Sequence, residues 1–214
     1  MKKAFILCVL LTFFLAGCGG EEEAQMEQTK GQVEEVTEAE EMAEAEEATK
    51  PITQEPIERD KNPIVVMETN FGDIELELFW DKTPKTAENF LRLVISEFYD
   101  GLTFHRVIPD FVVQGGCPLG NGTGGPGYSI DFEKADTKHH KGSLAMARSQ
   151  DPNSAGSQFY ICLKALPNLD GNYVVFGKTI KGMDAVDKIA QVETDPRDMP
   201  KEKVIMTKVY EKTE

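Results

Sequence analysis

A single arginine stands inside a largely apolar stretch, FHRVIPDFVVQGG, at residues 104–116. Val107, Ile108 and Phe111 are typical of a half-buried strand and turn, where a charge is costly unless it is paired. Arg106 is therefore a candidate functional group at the border of an apolar site. An arginine considered alone is more often a surface or salt-bridged residue, so the neighbouring motifs must decide between the two interpretations.

Other candidate chemistry in the sequence is weaker. The glycine-rich segment GNGTGGPG, at residues 120–127, lacks the Gly-Lys-Ser/Thr that completes a phosphate-binding loop. His139 and His140 are adjacent and lack further ligands at metal-binding spacing, which is typical of a solvated loop, so we predict no metal site. His105 precedes Arg106, but alternation along a strand predicts that its side chain points to the opposite face. No Ser-His-Asp or Cys-His arrangement is indicated.

Hydrophobic periodicity predicts several short strands and two helices. The segment IELEL alternates apolar and acidic residues, and the apolar runs SLAMA, FYICL, YVVFG and VIMTKVY are separated by turn-forming residues. The segment TPKTAENFLRLVISEF has helical spacing, with Thr83 as its predicted N-cap and Pro84 in its first turn. A second short helix is predicted at residues 183–191. This combination favours a mainly β fold, a closed antiparallel barrel capped by two α-helices.

The negative charge is concentrated in one segment. The net charge of the chain is −14: residues 1–18 carry +2, residues 19–60 carry −12 and residues 61–214 carry −4. Residues 19–60 have few large apolar side chains and no aromatic one, which predicts a disordered acidic tether, with an acidic interaction tail as the alternative. Residues 61–214 suit one ordinary domain. Neither part is basic, so nucleic acid is a disfavoured partner.

The N-terminus has the features of an export signal. Lys2 and Lys3 precede the apolar run AFILCVLLTFFLAG, which suits a signal-peptide core and is short for a membrane span. The run ends in LAGC, which resembles the lipobox of bacterial lipoproteins, with residues 1–17 as signal peptide and Cys18 as the lipidated first mature residue. We therefore expect an exported protein that lipid anchors to a membrane of the cell envelope. Gly19 favours the outer membrane if the cell has two, and a plain secretory signal is the alternative.

Five segments, in order and in matching register over about residues 64–209, resemble the cyclophilins, a family of peptidyl-prolyl cis-trans isomerases. They are FHRVIPDFVVQGG, NGTGG at residues 121–125, GSLAMAR at residues 142–148, GSQFYIC at residues 156–162 and LDGNYVVFGK at residues 169–178. The resemblance implies an eight-stranded barrel with two helices over residues 61–214. It also implies isomerase activity on proline-containing polypeptides without a cofactor, and we expect a monomer.

The resemblance also implies a set of site residues. Arg106 would be the catalytic donor to the prolyl nitrogen, and Gln114 would orient it and contact the substrate carbonyl. The proline pocket would be lined by Phe111, Val112, Tyr160 and Leu169, and the adjoining groove by Gly122, Ala147, Arg148, Ser149, Gln158 and Tyr173. Arg148 stands where the family usually has Asn. Taken singly, each apolar member of this set is as typical of an ordinary core.

Two functions follow from these assignments. The presence of Arg106 favours an isomerase that acts on exported proteins over a proline-binding or holdase module in which catalysis is incidental. Cys117 and Cys162 could pair as a disulfide in an oxidising compartment or persist as free thiols, and their spacing decides nothing between the two.

Overall fold

The computed structural model describes residue 57 and residues 59–213. The predicted signal peptide, Cys18 and nearly all of the predicted tether lie outside the described residues. Within the described part of the chain, no helix is both long and apolar enough to cross a membrane.

The described domain is mainly β, with eight antiparallel strands and two α-helices, as the sequence predicts. The strands run in the order β3-β4-β6-β5-β7-β2-β1-β8 within one sheet. Helix α1 packs nearest to β7 and β8, and helix α2 nearest to β2. The elements are β1 (Ile64–Thr69), β2 (Ile74–Leu78), α1 (Pro84–Ile95), β3 (Phe104–Ile108), β4 (Val112–Gly115), β5 (Ser143–Met146), β6 (Phe159–Cys162), a 3₁₀ turn (Pro167–Leu169), β7 (Val175–Lys181), α2 (Met183–Ile189) and β8 (Met206–Glu211).

The sheet curls into a half-barrel and does not reach the full closure that the sequence predicted. Its two edge strands, β3 and β8, are not joined by a ladder. One isolated bridge, between Thr103 and Ile205, and a few backbone hydrogen bonds connect the segments beside them, such as Phe104 N–H to the Val204 carbonyl at 2.9 Å. These bonds involve the first residues of β3 and β8 and the segments that precede the two strands.

The strands near the centre of the sheet are buried on both faces. On β6, Phe159 and Ile161 belong to the main core inside the sheet, whereas Tyr160 and Cys162 belong to a second, smaller apolar cluster on the other face. Alternation of side chains along a strand produces this division. It explains why these strands are continuously apolar in sequence, and the second cluster forms the floor of the cavity described below.

The cap of helix α1 differs from the sequence prediction. Thr83 occupies the N-cap position, but its side chain makes no capping hydrogen bond and donates instead to the Phe79 carbonyl at 3.1 Å. The carboxylate of Glu133 replaces it, accepting from the backbone N–H groups of Lys85 at 3.2 Å and Thr86 at 2.9 Å. A carboxylate satisfies the free N–H groups and also complements the helix dipole. Pro84 begins the helix, as predicted.

Candidate active site

A row of paired residues runs across four neighbouring strands and forms the base of the site. Arg106 on β3 is paired with Gln114 on β4, Gln114 with Tyr160 on β6, and Tyr160 with Ala145 on β5. Paired residues of antiparallel strands project on the same face. The sheet register therefore brings a guanidinium, an amide and an aromatic ring together from segments that are far apart in sequence.

A β-bulge on β3 decides which way Arg106 points. The register between β3 and β4 shifts between Phe104 and Arg106, so His105 is the additional residue. Phe104 and Val107 both point into the main core. Arg106, which lies between them in sequence, lines the cavity on the other face of the sheet. The prediction that His105 points away from the site is wrong because the bulge interrupts the alternation, and His105 lines the same cavity as Arg106.

This cavity has a volume of about 410 Å³ and contains most of the residues that the resemblance implied. Its apolar part is formed by Phe111, Val112, Tyr160 and Leu169. The rest of the predicted set that lines it is Arg106, Gln114, Gly122, Ala147, Arg148 and Tyr173. Ser149 and Gln158 lie outside it and line an adjoining cavity of about 380 Å³. Together the two cavities bring all the predicted site residues into one groove.

The Arg106 side chain is oriented by two partners and remains 41% exposed. Its Nη1 donates to Gln114 Oε1 at 3.4 Å, and its Nε lies 3.6 Å from the Asp198 carboxylate. Asp198 belongs to the loop that precedes β8, and its backbone carbonyl accepts the N–H of Val107 at 2.8 Å. The same loop therefore fixes both the backbone beside Arg106 and the angle of its guanidinium.

A chain of amide hydrogen bonds continues from Gln114 to the glycine-rich loop. Gln114 Nε2 donates to Gln158 Oε1 at 3.0 Å, and Gln158 Nε2 donates to the carbonyls of Gly122 and Gly124, both at 2.8 Å. On the other side of the loop, the N–H groups of the same two glycines approach Cys117 Sγ, each at 3.2 Å. The groove wall is thus held from both sides.

Tyr160 is held from beneath the cavity by a buried histidine. Its hydroxyl lies 3.0 Å from His139 Nε2, and His139 Nδ1 lies 2.8 Å from the Asp170 carboxylate. The hydrogen bonds from His139 lower the pKa of Asp170, and burial raises the pKa of Tyr160 well above its usual range. Both nitrogens of His139 are therefore engaged in positioning the pocket floor.

The Cys162 thiol, in the apolar cluster beneath the cavity, is not set up as a nucleophile by its surroundings. Cys117 and Cys162 are both buried and free. Burial, with a smaller contribution from Asp170, raises the pKa of Cys162 to about 12. The thiolate is the nucleophilic form, so a raised pKa makes Cys162 a poor nucleophile at neutral pH. Among the described residues, no group of three or more His, Cys, Asp or Glu side chains is placed to hold a metal ion.

Four cavity residues were not assigned from the sequence: His105, Asn121, Arg197 and Met199. Asn121 lies in the NGTGG motif and could have been included with Gly122. Arg197 and Met199 lie in the loop before β8, whose turn is fixed by Asp195, because its carboxylate accepts both of their N–H groups at 2.8 and 3.0 Å. No local pattern in the sequence indicates that this loop reaches the cavity.

The arrangement combines an apolar cavity, one oriented guanidinium and a set of fixed amides. It can bury a small apolar ring and donate hydrogen bonds at one edge of that ring. The family model for cyclophilin-type peptidyl-prolyl cis-trans isomerases matches residues 64–211. The chain belongs to this family, and its class of reaction is peptidyl-prolyl cis-trans isomerisation.

Several relatives share much of the domain. A peptidyl-prolyl cis-trans isomerase of Helicobacter pylori is 47% identical over 135 residues, which cover 61% of this chain and 82% of the relative. One from Arabidopsis thaliana is 43% identical over 150 residues, covering 68% of this chain and 93% of the relative. A Cryptosporidium parvum cyclophilin, whose crystal structure was obtained in the presence of the dipeptide Ala-Pro, is 37% identical to this chain in sequence. The two structures align with a TM-score of 0.68, covering 71% of this chain and 99% of that one.

Proposed function

We propose that this protein isomerises X–Pro bonds of exported polypeptides with Arg106 as the catalytic donor. The peptide bond resists rotation because the nitrogen lone pair is shared with the carbonyl, which gives a barrier of about 18–20 kcal/mol. In the twisted state the lone pair returns to nitrogen. A guanidinium that donates to this nitrogen therefore stabilises the twisted state more than the planar one, and only such differential binding accelerates the step.

The observation that carries this proposal is the position of Arg106 at the edge of the apolar cavity. In this mechanism Phe111, Val112 and Leu169 bury the proline ring, while Tyr160, fixed by His139, forms the floor. Lowering an uncatalysed time of roughly 10–100 s to about a millisecond requires roughly 10⁴–10⁵-fold, or about 5.5–7 kcal/mol. A preorganised charged donor contributes about 3–4 kcal/mol in comparable sites, and the positioning of the proline ring in the apolar cavity adds to it. The similar Cryptosporidium structure, obtained with Ala-Pro, supports proline as the ligand class.

The test of the mechanism is isomerase kinetics on an Ala-Pro peptide, measured beside peptide binding and thermal melting. Arg106→Ala should lower kcat/KM by about 10²–10³ because a preorganised donor is lost. Arg106→Lys should recover little, since an ammonium lacks the planar fork. Arg59→Ala is the matched control, because that arginine pairs with Glu211 and lies outside both cavities.

Peptide binding separates catalysis from a purely structural role. Binding to Arg106→Ala should weaken far less than kcat/KM, because the apolar cavity is intact. A variant that melts early, or that loses binding in proportion to activity, would show that Arg106 is structural. Unchanged activity with intact binding would instead favour the proline-binding module.

We further propose that the protein is a monomer, exported and attached to the membrane through lipid on Cys18. The order of Lys2, Lys3, the apolar run and the LAGC sequence supports export and the lipid anchor. In this setting the clients are proteins that fold after export. The acidic segment would serve as a tether that separates the domain from the membrane surface.

A further inference from the structure

The groove carries a positive charge that contrasts with the rest of the domain. Residues 61–214 have a net charge of −4, yet no Asp or Glu lines either of the two cavities. The lining instead contains Arg106, Arg148 and Arg197. Arg148 lines both cavities, so a peptide that places proline in the first cavity and continues into the second must pass it.

The three arginines differ in their partners. Arg106 lies 3.6 Å from the carboxylate of Asp198, and Arg197 lies 3.2 Å from that of Asp195. Arg148 contacts neutral groups: it donates to the Asn172 carbonyl from Nε at 3.1 Å and Nη2 at 2.9 Å, and to the carbonyls of Ser149 and Gln150 from Nη1 at 2.8 and 3.2 Å. Within the described residues its charge has no carboxylate partner.

The guanidinium of Arg148 is also held in place. It stacks on the ring of Tyr173, with its central carbon 4.7 Å from the ring centroid. Its hydrogen bonds use four of the five N–H groups of a guanidinium, which leaves one on Nη2 to donate. A cation fixed in this way loses little side-chain entropy when it meets an anion, which removes one of the usual costs of a surface ion pair.

Asp151 and Asp170, in the loops beside Arg148, are engaged elsewhere. Asp170 accepts hydrogen bonds from the backbone and the ring of His139, and Asp151 accepts the N–H of Asn153 within its own turn. Neither forms an ion pair with Arg148. Asp131, which lines a small third cavity together with Arg148, makes no ion pair with it. The groove therefore presents one uncompensated and preorganised cation beside the proline cavity.

We propose that Arg148 is a specificity-determining residue and that the site prefers X–Pro segments with an Asp or Glu side chain within two residues of the proline, on the flank that crosses Arg148. This inference rests on the proposed isomerase function and names its substrate class. The carboxylate of the substrate accepts a hydrogen bond from the free N–H of Arg148 and pairs with its positive charge. At the same time the proline ring occupies the first cavity.

The test compares kcat/KM of the full chain for peptides that differ at one position. Glu, Gln or Lys is placed one or two residues before the proline, or one or two after it. On one flank we expect Glu to exceed Gln and Gln to exceed Lys, by about threefold to fivefold per step at about 0.01 M salt, in the range of an exposed ion pair. The difference should vanish at about 1 M salt, where the screening length is about 3 Å.

Variants locate the preference at one residue. Arg148→Gln should bring the Glu-to-Gln ratio close to one, Arg148→Glu should invert it in favour of Lys, and Arg148→Lys should keep most of it. Lys208→Gln changes the net charge equally on β8, outside both cavities, and should leave the ratio as in the wild type. Because each result is a ratio within one protein, a general loss of activity in a variant does not affect it.

Two outcomes would overturn the proposal. One is a wild-type ratio of one on both flanks, and the other is a preference that Arg148→Gln leaves unchanged. Activity of the wild type on the neutral Gln peptides tests the isomerase function separately, since its absence would contradict that function and not only the charge preference. Thermal melting of each variant verifies that it is folded.

Discussion

At the residue scale, the site depends on where one additional residue is inserted in β3. His105 occupies a bulge, and this places Arg106 towards the groove while Phe104 and Val107 remain in the core. The insertion also leaves His105 only 5% exposed, and among the described residues neither of its ring nitrogens has a hydrogen-bond partner at normal distance and angle. A buried imidazole beside a guanidinium is disfavoured in its charged form.

This burial predicts a pH dependence of stability. Burial and the neighbouring Arg106 lower the pKa of His105 from its ordinary 6.5. Below about pH 6.5, His105 therefore binds a proton in the unfolded chain more readily than in the folded chain. The free energy of unfolding falls as the pH drops, by at most about 1.4 kcal/mol per pH unit for this one group. His105→Gln should lose less stability between about pH 7.5 and about pH 5.5 than the wild type.

Urea unfolding of both proteins at the two pH values measures this difference. His140→Gln, which removes an exposed imidazole, is the control and should follow the wild type. An identical pH dependence in the wild type and in His105→Gln would contradict the assignment.

At the scale of elements, loops rather than strands complete both the helix and the groove. Glu133, which lies in a loop, caps the N-terminus of α1. The loop before β8 places the Asp198 carboxylate beside the Arg106 guanidinium. The segment that leads into the glycine-rich loop passes very close to another part of the backbone at Gly116. A Cβ on Gly116, at a φ of +82°, would lie 2.4 Å from the Ser157 carbonyl oxygen. Only glycine fits this position without a backbone shift.

The capping role of Glu133 predicts a loss of stability without a change at the groove. Glu133→Ala removes the acceptor for two backbone N–H groups and for the Thr86 hydroxyl, which lies 2.7 Å from it. We expect the free energy of unfolding to fall by about 1–2 kcal/mol, as for the loss of an N-cap. Thermal or urea unfolding measures it. Glu202→Ala, at an exposed position, should stay within about 0.5 kcal/mol of the wild type, and an equal loss in both variants would argue against the cap.

At the scale of the whole molecule, the chain combines a nearly neutral catalytic domain with a strongly acidic preceding segment. The domain supplies the site, and the N-terminal sequence is predicted to supply the attachment. These two functions depend on different residues, so they should be separable by mutation.

The predicted anchor gives a direct test. Cys18→Ser should release the protein from membranes and leave the domain folded, because the buried lipid chains, at about 0.8 kcal/mol per methylene, are the proposed attachment. Fractionation of expressing cells measures this. Cys8→Ser is the matched control, since it lies within the predicted signal and should leave attachment unchanged. A Cys18→Ser protein that still sediments with membranes after a high-salt wash would refute the lipobox interpretation.

The sequence by itself determined the local elements and most members of the site. Periodicity of two and of 3.6 residues follows from side-chain geometry within one strand or helix, so β2, α1 and α2 were predictable from the chain alone. The five motifs, by their resemblance to one family, indicated the residues that the structure gathers in the groove. These features depend on neighbours in sequence, which is why the sequence reveals them.

Tertiary structure decided the bulge at His105, the capping of α1 by Glu133, the approach of Asp198 to Arg106 and the incomplete closure of the sheet. Each of these depends on register or on a contact between distant segments; Glu133 and Thr86, for example, are 47 residues apart. A one-residue change in register reverses the face of every following side chain. No local pattern fixes such a choice, because it is set by the packing of the whole sheet around its core.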